Sequence, residues 1–160
     1  MVDLFTASAR YVVDTCSFTE MKRRYPRDVF PSAWDKLEAL AEAGVFVSLD
    51  EVLDELSFED DEVLAWAVEH GSVFLPLDDD IQLAAKEILK SFPKLLNMKK
   101  KKSSADAFVV GAAKAYGYTV VTEEKPSGGP DRPKIPDVCR AIAVQCIGVL
   151  EMLRREGLRL

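Results

Sequence analysis

The sequence predicts an α/β fold in which a parallel sheet is covered by helices on both faces. Short apolar, β-rich runs alternate with stretches of helical periodicity, and the connections between them are brief, which is the pattern of strands laid side by side through helical crossovers. With 160 residues, 48% of them hydrophobic and 30% charged, the chain reads as one domain spanning residues 1–160. A chain of that length buries about two-thirds of the surface its unfolded form exposes, so neither disulfide nor zinc staple is needed for a core.

Taken in order, Tyr11-Val12-Val13 is a first strand ending on Asp14, and Thr15 to Arg24 is a first helix. Pro26 and Pro31 punctuate the next loop, with Pro31 suited to the first turn of a helix carrying Trp34, Leu37, Leu40 and Ala41 and stopped by Gly44. Val45 to Leu49 is a second strand that runs directly into a short helix over Asp50 to Leu56. A helix from Asp60 to Glu69 follows, then a short extended piece over Ser72 to Leu75, then a helix over Asp78 to Lys90. Ser103-Ser104-Ala105-Asp106 resembles a capped helix start, Gly117 ends that helix, and Tyr118 to Val121 is the next strand. Pro126 to Pro136 reads as a surface loop. A short helix from Asp137, an extended piece over Val144 to Cys146 and a helix over about Ile147 to Glu156 complete the chain.

Composition excludes several chemistries. There is one histidine, His70, so mechanisms that use two imidazoles, and zinc sites built on several, are ruled out; placed before Gly71, it reads as a helix C-cap. Three cysteines (Cys16, Cys139, Cys146) at no zinc-like spacing, with no secretory apolar segment in Met1 to Val13, fit a reducing cytoplasm and read as small core residues. Trp34 and Trp66 lie on apolar helical faces and read as core or dimer contacts. No apolar stretch approaches a membrane span.

The net charge of −6 is unevenly spread. Leu37 to Ala85 holds fourteen Asp and Glu and no Lys or Arg, leaving 21 bases against 13 acids elsewhere. The bases concentrate in Lys22, Arg23, Arg24 and Arg27, and again in Lys94 and the run Lys99, Lys100, Lys101, Lys102. Each cluster reads either as a solvated face or as a phosphate-binding arm beside an acidic centre.

Asp14, Glu51 or Glu55, and Glu123 or Glu124 all stand just past expected strands, where ligands bind in such sheets. Val12-Val13-Asp14-Thr15, Glu55-Leu56, Ala105-Asp106-Ala107-Phe108-Val109-Val110 and Val120-Val121-Thr122-Glu123-Glu124 resemble, in that order, the four acidic motifs of the PIN-domain nucleases. Lys134-Ile135-Pro136-Asp137-Val138-Cys139 and the Trp34 helix further resemble a bacterial PIN subgroup related to the VapC-like toxins. The resemblance implies a three-layer α/β/α sandwich with a central, mainly parallel sheet and an endoribonuclease using Mg²⁺ or Mn²⁺. It also implies a cytoplasmic homodimer acting as the toxin of a toxin–antitoxin pair, with RNA and an antitoxin protein as partners. Carried over, the catalytic and metal-binding acids are Asp14, Glu55, Asp106 and Glu124, with Thr15, Ser17 and Thr122 as supporting hydroxyls. By its charge and its place just before Asp106, the run Lys99 to Lys102 reads as RNA contacts. Many members have Asp where this chain has Glu124.

The residue types agree with that chemistry, because Mg²⁺ and Mn²⁺ favour hard oxygen ligands and a few carboxylates without histidine suffice. Each acid has a plain alternative: Asp14 as a helix cap, Asp106 as a first-turn acid, Glu51 and Glu55 as one solvated face. Four converging carboxylates would repel one another without a cation, which favours a metal site. A phosphatase-like hydrolase on Asp14-Thr15 would need a second Asp where Cys16 stands. A protein-interaction module with an acidic surface for a basic partner is the alternative outside enzymology.

Overall fold

A computed structural model describes residues 9–95, 105–127 and 131–159. Five strands, β1 (Tyr11–Val13), β2 (Phe46–Leu49), β3 (Phe74–Leu75), β4 (Thr119–Val121) and β5 (Cys146–Ile147), form one sheet in the order β3-β2-β1-β4-β5. Every pairing is parallel. The helices among the described residues are α1 (Thr15–Arg24), α2 (Pro31–Glu42), α3 (Asp50–Leu56), α4 (Asp61–Glu69), α5 (Asp79–Ser91), α6 (Ala105–Tyr116), α7 (Ile135–Ala141) and α8 (Val149–Arg155). This is the expected α/β class, and the three-layer arrangement follows from burial. Successive strand side chains point to opposite faces, yet all of Tyr11 to Val13 and Phe46 to Leu49 are buried, so helices cover both sides.

The core joins these layers through aromatic rings. Phe18 of α1 lies 6.4 Å from Phe46, 5.6 Å from Phe74 and 5.8 Å from Trp66, and Trp66 meets Trp34 edge to face at 5.8 Å. Both tryptophans are therefore core residues, as their helical faces suggest. His70 caps α4, its Nδ1 2.9 Å from the Trp66 carbonyl and its ring stacked on Trp66 at 4.5 Å. No helix among the described residues is long and apolar enough to cross a membrane.

Four boundaries lie two residues from the sequence expectation. The piece from Ser72 is a 3-10 turn over Gly71–Val73, and only Phe74 and Leu75 join the sheet. β5 is Cys146–Ile147, not Val144 to Cys146, because Ala143 at φ 58° turns the chain and Val144 returns its N–H to the Cys139 carbonyl. α7 begins at Ile135 with Pro136 in its first turn, where a missing N–H costs nothing. α8 starts after Gly148, two residues later than expected. Lys99 to Lys102 and Ser103-Ser104 lie outside the described residues.

The strand order places β1 between β2 and β4. The chain winds outward from β1 through β2 to β3, then crosses back to β4 and on to β5, so the direction of winding reverses between β1 and β4. In open parallel sheets the crevice beyond the strand ends at such a reversal is where ligands bind.

Candidate metal centre

Asp14 follows the last residue of β1 and occupies the N-cap position of α1, with extended backbone. It does not act as a cap. Asp60 and Asp78, at the equivalent positions of α4 and α5, cap their helices by accepting N–H groups of the first turn, whereas the Asp14 side chain makes no cap hydrogen bond and has only the adjacent Thr15 amide favouring its charged form. Its Oδ2 instead accepts from the Thr122 hydroxyl at 3.0 Å and the Cys16 thiol at 3.2 Å. Its Oδ1 is buried and has no hydrogen-bond partner, in a residue only 2% exposed. An unpartnered buried carboxylate oxygen is expensive unless something else satisfies it.

The other acids come from separate elements. Asp106 projects from the first turn of α6, which packs across β1, β2 and β4. Glu124 lies past β4, anchored by the Ile135 amide at the start of α7, which donates to its Oε2 at 3.1 Å. One oxygen from each of Asp14, Asp106 and Glu124 falls within 4.8 Å of the others. Burial pushes the Asp14 carboxyl up to about 6, helped by the Glu124 charge and opposed by hydrogen bonds from Cys16, the Thr15 amide and Thr122. Burial and the charges of Asp14, Glu124 and Glu55 push Asp106 up to about 8, with exposed Lys134 pulling the other way. Three carboxylates brought together in this way store repulsion that a cation relieves.

The expected site residues sort by position. Asp14, Asp106 and Glu124 converge. Glu55, at the end of α3, lies outside the group of three: its Oε2 accepts from the Thr15 hydroxyl at 2.6 Å and its Oε1 from the Ala105 amide at 3.0 Å. Its two donors tie α3 to the starts of α1 and α6, and its charge reaches Asp106. Glu51 sits one turn earlier on α3 and is also outside the group. Glu123 points elsewhere, taking the Val149 amide at 2.7 Å, and Gly148 leaves room for it, since a Cβ there would come within 3.1 Å of its Oε1. Thr15 donates to Glu55 and Thr122 to Asp14. Ser17 does not reach the acids; its hydroxyl donates to the Val121 carbonyl at 3.1 Å and fixes α1 to β4.

Cys16 is the contact of the acid cluster that residue type concealed. A thiol two residues after the first acid reads as core filling, but here it touches Asp14, Thr122 and the Glu123 amide. Only the spacing within Asp14-Thr15-Cys16, which places Cys16 on the first turn of α1, carries a hint of this. The basic cluster around α1 is engaged in ion pairs: Lys22 with Asp60 and Glu62, Arg23 and Arg24 with Glu20, Arg24 with Glu123, and Arg27 with Glu38. Lys22 and Arg27 are thus engaged by the acidic stretch and Arg23 and Arg24 by Glu20 and Glu123, so the solvated-face reading describes the cluster.

The donor set is three carboxylates, one of them with a buried oxygen that nothing satisfies, and no histidine or thiolate. That set suits a hard divalent cation. The family described as a domain of unknown function, DUF4411, matches residues 11–160. The chain belongs to that family. The DUF4411 match runs from the first residue of β1 through α8 and so includes every acid of the group. No curated protein matches the chain.

Proposed function

We propose that this DUF4411 protein is a metal-dependent endoribonuclease of the PIN type, the toxin of a toxin–antitoxin pair, acting as a homodimer. The observation that carries the reading is the convergence of Asp14, Asp106 and Glu124 from three elements at the winding reversal of the sheet, with Asp14 Oδ1 buried and unsatisfied. The ordered motif resemblance supplies the substrate class, the homodimer and the antitoxin.

Asp14, Asp106 and Glu124 would hold Mg²⁺ or Mn²⁺. When bound, such a cation supplies positive charge to a scissile phosphate and acidifies the attacking water. The chain's own residues do the positioning. Thr122 and Cys16 hold Asp14, the Ile135 amide holds Glu124, and Glu55, itself fixed by Thr15 and Ala105, adds negative charge beside Asp106. Exposed Lys134, next to the residue that anchors Glu124, sets a cation at the rim where a phosphate would approach.

The test is cleavage of single-stranded RNA by purified protein with Mn²⁺, with EDTA as control and end-group analysis of the products. His70 is committed to Trp66, so no imidazole pair is present to use the ribose 2′-hydroxyl. The expected ends are 5′-phosphate and 3′-hydroxyl. Cyclic 2′,3′-phosphate ends, or full activity in chelator, would reject this mechanism. Binding of a basic partner without RNA cleavage would favour the interaction-module reading.

A further inference from the structure

The surroundings of Asp14 are asymmetric. Oδ2 receives two protein donors, the Thr122 hydroxyl and the Cys16 thiol, while Oδ1 receives none and is fully buried. Both donor groups also accept from the backbone. The Glu123 amide donates to Cys16 Sγ at 3.3 Å, and the Glu124 amide donates to Thr122 Oγ1 at 3.2 Å. Sγ and Oγ1 also lie 3.2 Å from each other, but an ionised carboxylate only accepts and is a stronger acceptor than a thiol or a hydroxyl, so the S–H and O–H protons are directed onto Oδ2.

We propose that Cys16 is a positioning residue which, with Thr122, saturates Oδ2 of Asp14 and leaves Oδ1 as the single oxygen that this acid offers to a divalent cation. The inference rests on the metal-site part of the proposed function and not on RNA cleavage. It also links the acids of the site. The strand end that delivers Glu124 orients, through two successive amides, the groups that fix Asp14. Partners of this kind around a metal ligand typically contribute 10- to 100-fold in metal affinity.

The experiment titrates Mn²⁺ into wild type, Cys16→Ala and Cys16→Ser, reading affinity by calorimetry and the rise in melting temperature at saturating metal. Cys16→Ala should bind Mn²⁺ about tenfold more weakly and show a smaller Mn²⁺-induced rise, while Cys16→Ser, which keeps a donor, should stay within about threefold of wild type. A purely structural cysteine would lower the metal-free and metal-bound melting temperatures equally. Equal Mn²⁺ affinity in wild type and Cys16→Ala overturns the proposal, and so does loss in Cys16→Ser as large as in Cys16→Ala. Should Cys16→Ala fail to fold, the infrared S–H stretch of wild type, assigned by its absence in Cys16→Ser, decides. It should move to higher frequency on Mn²⁺ addition, because coordination at Oδ1 withdraws charge from Oδ2, and a band unmoved at saturation overturns the proposal. A wild type that binds Mn²⁺ but cleaves no RNA removes the nuclease reading and leaves this one intact; no Mn²⁺ binding by wild type removes both.

Discussion

Asp14 and Asp106 retain protons in the folded metal-free chain at pH values where an ordinary carboxyl has released them. Between the usual carboxylate range and about 6 for Asp14 or about 8 for Asp106, the folded state binds more protons than the unfolded one, so stability falls as pH rises through that window. In chelator, the melting temperature should therefore decrease from about pH 5 to about pH 8.5, and Asp106→Asn should flatten the decline. A profile that rises over the same interval would contradict the charge assignment. Asp14→Asn and Asp106→Asn should each abolish RNA cleavage while remaining folded, because neutralising one acid relieves repulsion. Activity near wild type in either variant at saturating Mg²⁺ would end the metal-site assignment. Among the ambiguous acids, Glu124→Gln should weaken Mn²⁺ binding more than Glu123→Gln, whose effect falls on the start of α8. Glu55→Gln should reduce turnover and weaken Mn²⁺ binding through the charge it places beside Asp106, and Glu51→Gln should do less. Isothermal titration of the four variants ranks them.

At the scale of elements, Asp106 is placed by the seating of α6 on α5. A Cβ on Gly111 would come within 3.0 Å of the Ala85 nitrogen and the Ile81 carbonyl, both backbone atoms that cannot swing aside. Helix propensity alone would make Gly111→Ala stabilising by roughly 0.5–1 kcal/mol, but overpacking of this kind costs about 1–3 kcal/mol. The variant should be destabilised on urea unfolding, and a gain in stability would show that α5 and α6 separate freely. The elements were largely legible because most announce themselves by pattern: β1 is uniformly apolar, β2 is apolar but for Ser48, and Asp60 and Asp78 are acids at N-caps. What remained hidden lacked a periodic cue. β3 and β5 contribute two residues each, too few for alternation to register, and the turn at Ala143 uses a conformation that its side chain does not advertise. The acids of the site were legible by position, each just past a strand or at a helix start. The divergence of Glu55 from the group of three was not, because it depends on donors from Thr15 and Ala105, 40 and 50 residues away.

Across the whole molecule, the acidic stretch from Leu37 to Ala85 is braced against the basic arm around α1, with Lys22 and Arg27 paired to Asp60, Glu62 and Glu38. These pairs engage the charge of Lys22 and Arg27 and so withhold it from a polyanion. Neutralising Lys99 to Lys102 should weaken RNA binding and lower its salt slope by about 0.7 for each single-strand phosphate that a lysine had neutralised. Neutralising Lys22 and Arg27 should leave that slope almost unchanged. Anisotropy titrations across salt concentrations separate the two, and an unchanged slope in the lysine variant would make the run a solubility feature. The pairing of β1 with β4 has a consequence in time. Asp14 and Thr122 share a hydrogen bond across 108 residues of chain. At a synthesis rate of ~5–20 residues per second, Glu124 joins the growing polypeptide roughly 5 to 20 s after Asp14, and the amide of Ile135 that anchors it arrives later still. Until then a nascent chain on the ribosome has its first acid but nowhere to gather a cation. If the proposed nuclease activity is correct, the message being translated beside it is spared, for that interval, by the order of synthesis alone.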